Sequence, residues 1–193
     1  MRIIFNMTLT YTHRKTAVGI ARVEREILKN LHFTLGNTLV PVIFIGDDWF
    51  ELTSNELSIC LSDEWISEDS KLKINLTKKE FIPIATDRFI SLGSDWSHNI
   101  PDKVAALYPN SRNLITMCHD LIPLLFPELT PDKYFFDQFT YHYKRVNEVA
   151  LKVLCNSKNT QNDLEEYWHV NKSTTIPEIK TITLANLSIK SNG

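Results

Sequence analysis

His119 and Asp120 stand side by side at the end of the apolar run Asn113-Leu114-Ile115-Thr116-Met117-Cys118, just ahead of Leu121-Ile122-Pro123. An imidazole titrates near neutral pH, so it can bond a hydroxyl or a phosphate, or act as a general acid or base. The adjacent carboxylate can join that chemistry or turn back to hold backbone groups. The preceding run reads as a buried strand and Pro123 closes a turn. The pair is therefore expected at the carboxyl end of a strand, where open α/β sheets bind ligands. A strand-end histidine satisfied by local backbone is the structural alternative.

Other residue types invite similar readings. Gly19, between a first strand and a first helix, sits where a Rossmann-like loop lets a phosphate approach backbone amides. It can equally be a turn residue easing entry to the helix. Arg22, one turn on, can meet a phosphate or sugar-acid group, or pair with Glu26 on an exposed helix face. Asp95 and Trp96 follow Gly93 at the end of another expected strand. An acid beside an indole suits a sugar, whose C–H face stacks on the ring; an Asx turn is the plainer reading. Ser157, with Thr160, opens a further helix and offers an anion site or simply a cap.

These residues need a scaffold, and the apolar pattern supplies one. Strands are expected at Ile3 to Leu9, Leu39 to Ile45, Arg88 to Gly93, Asn113 to Cys118, Lys152 to Cys155 and Thr181 to Leu184. A helix follows Gly19, with Ile20, Val23, Ile27, Leu28 and Leu31 inward and Arg22, Glu24, Arg25, Glu26 and Lys29 on its other faces. A short helix is expected over Pro101 to Tyr108, with Pro101 in the first position. Another starts at Thr130-Pro131-Asp132 and runs to about Ala150, with Phe135, Phe139, Val146 and Val149 inward. Ser157 caps one reaching about Trp168. Residues 47–80 read as a charged excursion of short strands or hairpins with a solvated surface. Alternating strands and helices predict an α/β fold, a doubly wound, mostly parallel Rossmann-like sheet.

Composition excludes several classes. The chain has 193 residues, 43% hydrophobic and 23% charged, enough for a real core. A formal net charge of −2 argues against a nucleic-acid partner. No apolar run reaches the roughly 18–20 residues of a membrane span, and the apolar start Met1-Arg2-Ile3-Ile4-Phe5 lacks a signal-peptide pattern. A cytoplasmic protein, touching a membrane at most peripherally, is expected. Cys60, Cys118 and Cys155 are too widely spaced for a zinc site and read as buried thiols.

Four stretches together resemble one family. Thr16-Ala17-Val18-Gly19-Ile20-Ala21-Arg22-Val23-Glu24-Arg25-Glu26 comes first, then Gly93-Ser94-Asp95-Trp96. His119-Asp120-Leu121-Ile122-Pro123-Leu124 with Phe126-Pro127-Glu128 follows, then Cys155-Asn156-Ser157 with Thr160, Asp163 and Leu164. In this order they look like the N-terminal half of retaining glycosyltransferases of family 4, the GT-B type used in bacterial O-antigen and capsule (lipopolysaccharide and polysaccharide) assembly. The likeness covers most of the chain apart from residues 47–80.

The resemblance implies an acceptor-side domain over residues 1–188, with the start of an interdomain hinge or tail at 189–193. A separate C-terminal domain would hold the nucleotide-sugar donor, and that domain is not in this sequence. The intact enzyme would transfer a hexose, mannose among the candidates, to a lipid-linked or polysaccharide glycan in the cleft between the two, peripherally at the cytoplasmic face of the inner membrane. His119 inherits a place near the transferred sugar and Gly19 one near the donor diphosphate or the acceptor. Asp120 and Ser157 inherit weaker roles. No metal or other cofactor is demanded, because backbone amides and basic groups can meet the phosphate charge. Asn6 stands where the family often has an aspartate. The alternative is a stand-alone Rossmann-like module that binds glycan or a partner without catalysis.

Overall fold

The computed structural model describes residues 1–13, 19–67, 71–173 and 175–184. Thr16 to Val18 of the glycine-loop motif, Glu68 and Asp69 of the charged excursion, and the expected hinge at 185–193 lie outside them. The fold is α/β and Rossmann-like. An eight-stranded sheet has the order β4-β3-β2-β1-β5-β6-β7-β8, parallel throughout except at β3 and β4.

β1 (Ile3–Asn6) is shorter than expected. It stops because the Asn6 side chain captures the backbone N–H and hydroxyl of Thr8, which opens the short helix α1 (Thr8–Thr12). After α2 (Gly19–Leu35) the chain enters β2 (Leu39–Ile45), with the boundaries its apolar run predicts. β3 (Asp48–Glu51) turns back antiparallel at Gly46, whose φ of +65° favours glycine.

The excursion is more ordered than short hairpins. It holds a helix, α3 (Ser54–Leu61), started by a capping box in which Thr53 and Glu56 exchange hydrogen bonds. β4 (Lys79–Glu80) ends the excursion. Glu56 is buried, because Thr53 and Thr77 both donate to its carboxylate, so the excursion's charge is not wholly solvated.

β5 (Arg88–Ser91), α4 (Ile100–Leu107) and β6 (Leu114–Cys118) fall close to expectation. α5 (Ile122–Leu125) is a single turn after the His119–Asp120 pair. α6 (Lys133–Val149) is capped by Asp132 rather than Thr130, because the Asp132 carboxylate reaches the Phe135 N–H while the Thr130 hydroxyl bonds the Pro127 carbonyl. β7 (Ala150–Cys155) and α7 (Lys158–Val170) follow, the latter capped by Ser157 as expected. β8 (Glu178–Thr181) lies three residues before its expected position. Its pairing of Ile179 with Val153 and Thr181 with Cys155 fixes that register.

Alternate strand residues face opposite layers. α2 and α3 cover one face, with Leu28, Leu57 and Cys60 over Phe5, Ile43 and Met117. On the other, Ile100 and Val104 of α4, with Tyr108 just after it, pack over Ile4, Val42, Phe89 and Leu114. Phe139, Tyr143, Leu164 and Trp168 of α6 and α7 pack over Val153 and Cys155. All three cysteines are buried. Among the described residues no helix is long and apolar enough to cross a membrane. From β1 the chain moves one way to β2, then returns to the opposite side of β1 as β5. The switch point therefore lies between the carboxyl ends of β1 and β5.

Candidate functional site at the carboxyl edge of the sheet

At the switch point a chain of buried polar side chains joins three strands. Asn6 donates through Nδ2 to the Ser91 hydroxyl at 2.8 Å, and Ser91 donates to Asp95 Oδ1 at 2.6 Å. Thr116 donates to Asp95 Oδ2 at 3.2 Å. An amide suits position 6 because it accepts from Thr8 with one atom and donates to Ser91 with the other; an aspartate could not do both when ionised. Burial outweighs the bonds from Ser91 and Thr116, and pushes the Asp95 carboxyl up to about 7.

A second acid faces the same space. Glu24 of α2 is fully buried, and its Oε1 accepts from the Thr10 N–H at 2.7 Å and the Thr10 hydroxyl at 2.8 Å. Its Oε2 has no hydrogen-bond partner among the described residues. Burial outweighs the two Thr10 bonds and, with a smaller contribution from the charge of Asp95, raises this carboxyl to about 8. Gly93 makes room for it: a Cβ there would come within 2.6 Å of Glu24 Oε2. A cavity of about 30 Å³, the size of a water molecule, lies among Asn6, Thr8, Glu24, Gly93 and Asp95.

The placement of Glu24 and Arg25 corrects the expectation that they lie off the inward face of the helix. Both are buried because the fold supplies partners: Thr10 for Glu24, and the Cys60, Leu61 and Ser62 carbonyls for Arg25. Arg22 is exposed, and Glu26, its expected mate, pairs with Lys29. Gly19 begins α2 with φ +52° and open space around the position of a Cβ. It is needed there for its backbone angle rather than for room.

The next two strands carry the more open part of the edge. His119 follows β6, and its Nε2 lies 2.8 Å from the Leu92 carbonyl oxygen at the end of β5. A carbonyl only accepts, so Nε2 carries the proton and Nδ1 keeps a free lone pair. Burial lowers the His119 pKa, with the Leu92 bond and Asp120 opposing, so the ring is neutral at pH 7. Asp120 is exposed and accepts from the Ile122 N–H at 3.1 Å, bracing the turn. Asn156 donates to the His119 carbonyl at 2.8 Å and accepts from Thr160. The Ser157 hydroxyl accepts from the Thr160 N–H, so its cap leaves it less free for an anion.

Asp95 and Trp96 part company. Asp95 points into the sheet, whereas Trp96 packs edge-on against Phe139 at 5.2 Å and against Phe135 and His142 of α6. The indole is committed to packing, which corrects its reading as a sugar-stacking surface. In the segment that follows His119, the apolar side chains of Ile122, Leu125, Phe126 and Leu129 are exposed.

No protein family, no curated protein and no solved structure matches this chain. The geometry alone carries the functional argument. The arrangement can hold a hydroxyl at His119 Nδ1, take negative charge at the N-terminus of α2 beside Arg22, and exchange a proton at Glu24 or Asp95 near neutral pH.

Proposed function

We propose that this chain is the N-terminal, acceptor-side domain of a retaining GT-B glycosyltransferase. The intact enzyme would transfer a hexose from a nucleotide sugar to a lipid-linked or polysaccharide glycan. The neutral His119 at the carboxyl edge, with Nε2–H tied to Leu92 and Nδ1 free, carries this reading most directly. A neutral imidazole suits a sugar hydroxyl better than a phosphate, so His119 would orient a sugar rather than neutralise the diphosphate. The start of α2 at Gly19, with the exposed Arg22, would lie on the phosphate side. Asp120 would brace the turn that presents His119. Asn6, Asp95 and Glu24 would hold the strand ends rigid behind the cleft.

The exposed strip from Ile122 to Leu129 supports the lipid-linked form of the acceptor, whose apolar part it could contact. It also supports a cytoplasmic enzyme working peripherally at the inner membrane. The same strip favours the second reading, a glycan-binding or interaction module without catalysis. Transfer assays separate the two. With a donor-binding domain joined to the chain, labelled hexose should pass from a nucleotide sugar to a polyprenyl-linked glycan. His119→Gln should slow it on the order of 100-fold. Glycan binding without transfer from any nucleotide hexose would overturn the enzymatic reading, and unchanged turnover in His119→Gln would remove His119 from the reaction.

A further inference from the structure

The sheet ends at β8, and no described strand lies beyond it. The opposite edge is blunted, because β4 is only two residues long. β8 offers Glu178–Thr181 in extended conformation, beside an open cleft of about 640 Å³ between this edge and α7. A free strand edge is a template for another strand.

Which groups face outward follows from the pairing with β7. The Ile182 N–H reaches the Cys155 carbonyl at 2.8 Å, and in a parallel ladder alternate residues turn both backbone groups to the same neighbour. Lys180 and Ile182 therefore serve β7, while Ile179 and Thr181 turn their N–H and C=O outward. Pro177 shares that outward parity but offers only a carbonyl. The side chains alternate between the two faces of the sheet. Ile179 packs against the cluster beneath α7, and the Thr181 hydroxyl donates to Gln161 of α7 at 2.7 Å. Glu178 and Lys180 lie exposed on the other face.

This edge is complementary to itself. In an antiparallel pair with a two-fold axis at Ile179, the two Ile179 residues exchange both backbone groups. Each Thr181 N–H meets the other copy's Pro177 carbonyl, and the ladder stops there because Pro177 has no N–H to return. Glu178 then stands opposite the other copy's Lys180, twice by symmetry, in the non-hydrogen-bonded position where facing side chains come closest. One Glu178 oxygen is held by Lys152 at 2.9 Å, which leaves the second for Lys180. Moving the axis to Thr181 sets Lys180 opposite Ile182 and loses both ion pairs.

The flanking helices agree with this register. Gln161 is level with Thr181, whereas Glu165, Glu166 and His169 line the cleft with Ile176, Pro177 and Ile179. The two-fold axis exchanges these levels. The N-terminal half of each α7, with the exposed Lys158 and the positive end of the helix dipole, therefore faces the exposed acids of the other.

We propose that β8 pairs antiparallel with the β8 of a second copy of this chain, extending the sheet across a two-fold axis at Ile179. A strand this short makes a small interface, so the dimer is weak, with a dissociation constant on the order of 100 μM. The inference does not depend on the transfer reading.

Sedimentation and small-angle scattering at concentrations up to about 1 mM should show a monomer–dimer equilibrium. Amide shifts that grow with concentration should centre on Ile176 to Ile182 and on Asn162 to His169. Glu178→Lys and Lys180→Glu, both at exposed positions, each set like charges opposite one another and should weaken self-association about tenfold or more. Mixed in equal amounts, the two variants should associate far more strongly than either does alone, because their charges are opposite in that register. A monomer throughout, shifts confined to other residues, wild-type self-association in either variant, or a mixture that associates no better than its parts would overturn the proposal.

Discussion

Two parts of the same sheet edge treat their polar groups in opposite ways. Between β1 and β5 the acids Glu24 and Asp95 are enclosed, bonded by hydroxyls and amides, and pushed toward neutral pH by burial. Between β6 and β7 the histidine sits near the rim, tied by one ring nitrogen, and is pushed away from protonation. Residue type alone would make His119 the group that changes charge at physiological pH. Burial reverses that order. The dry half of the edge holds the titrating protons, and the open half offers a fixed lone pair to a ligand.

The sharpest way to break this contrast is through pH. A carboxyl whose folded pKa is raised binds more protons folded than unfolded, so stability falls as pH rises between the two values. For Glu24 that window runs from 4.5 to about 8, and for Asp95 from 3.8 to about 7. His142, lowered by burial to about 3, and His119, also lowered by burial, work the other way below 6.5 and cancel part of the slope there. From pH 6.5 to 8 the histidines drop out of the balance. Urea unfolding should show a loss over that interval, of which Glu24 supplies about 1–2 kcal/mol. Glu24→Gln should flatten the slope, and an unchanged slope would show that Glu24 does not titrate there.

Crowding gives the next effect. Gly93→Ala should cost about 1–3 kcal/mol in denaturant unfolding, because its methyl group meets Glu24 Oε2 and the Leu9 side chain. Wild-type stability would mean that the carboxyl is free to move away. His119→Gln, at the open half, should cost no more than about 1 kcal/mol, since a side-chain amide can still donate to the Leu92 carbonyl. A larger loss would make His119 part of the structural core. Arg22→Ala should change stability by no more than about 0.5 kcal/mol, as expected for an exposed side chain.

The frame of this molecule was legible where one signal decided an element. β2 is bounded by Gly36 and Gly46, and the Ser157 cap starts α7 as read. α3 was missed because Ser54 to Leu61 has no clear apolar face, although Thr53 and Glu56 spell a capping box. The site was legible by position and not by contact. Position 24 falls on the stripe of Ile20, Val23, Ile27 and Leu28, so a glutamate there was already out of place. What made it tolerable, the Thr10 N–H and hydroxyl, comes from a helix with no periodic signal of its own. Trp96 shows the converse: its neighbour's role did not transfer, because α6 supplies Phe135 and Phe139 from forty residues away in the chain.

The central claim is that the open half of the carboxyl edge receives a sugar. Titrating a polyprenyl-linked oligosaccharide in detergent into isotopically labelled chain tests it most directly. The account predicts shifts at Leu92–Ser94, His119–Asp120 and Ile122–Leu129, with the His119 ring nitrogens remaining in the neutral, Nε2-protonated form. Binding that leaves those residues unperturbed, or no binding at all, would contradict it.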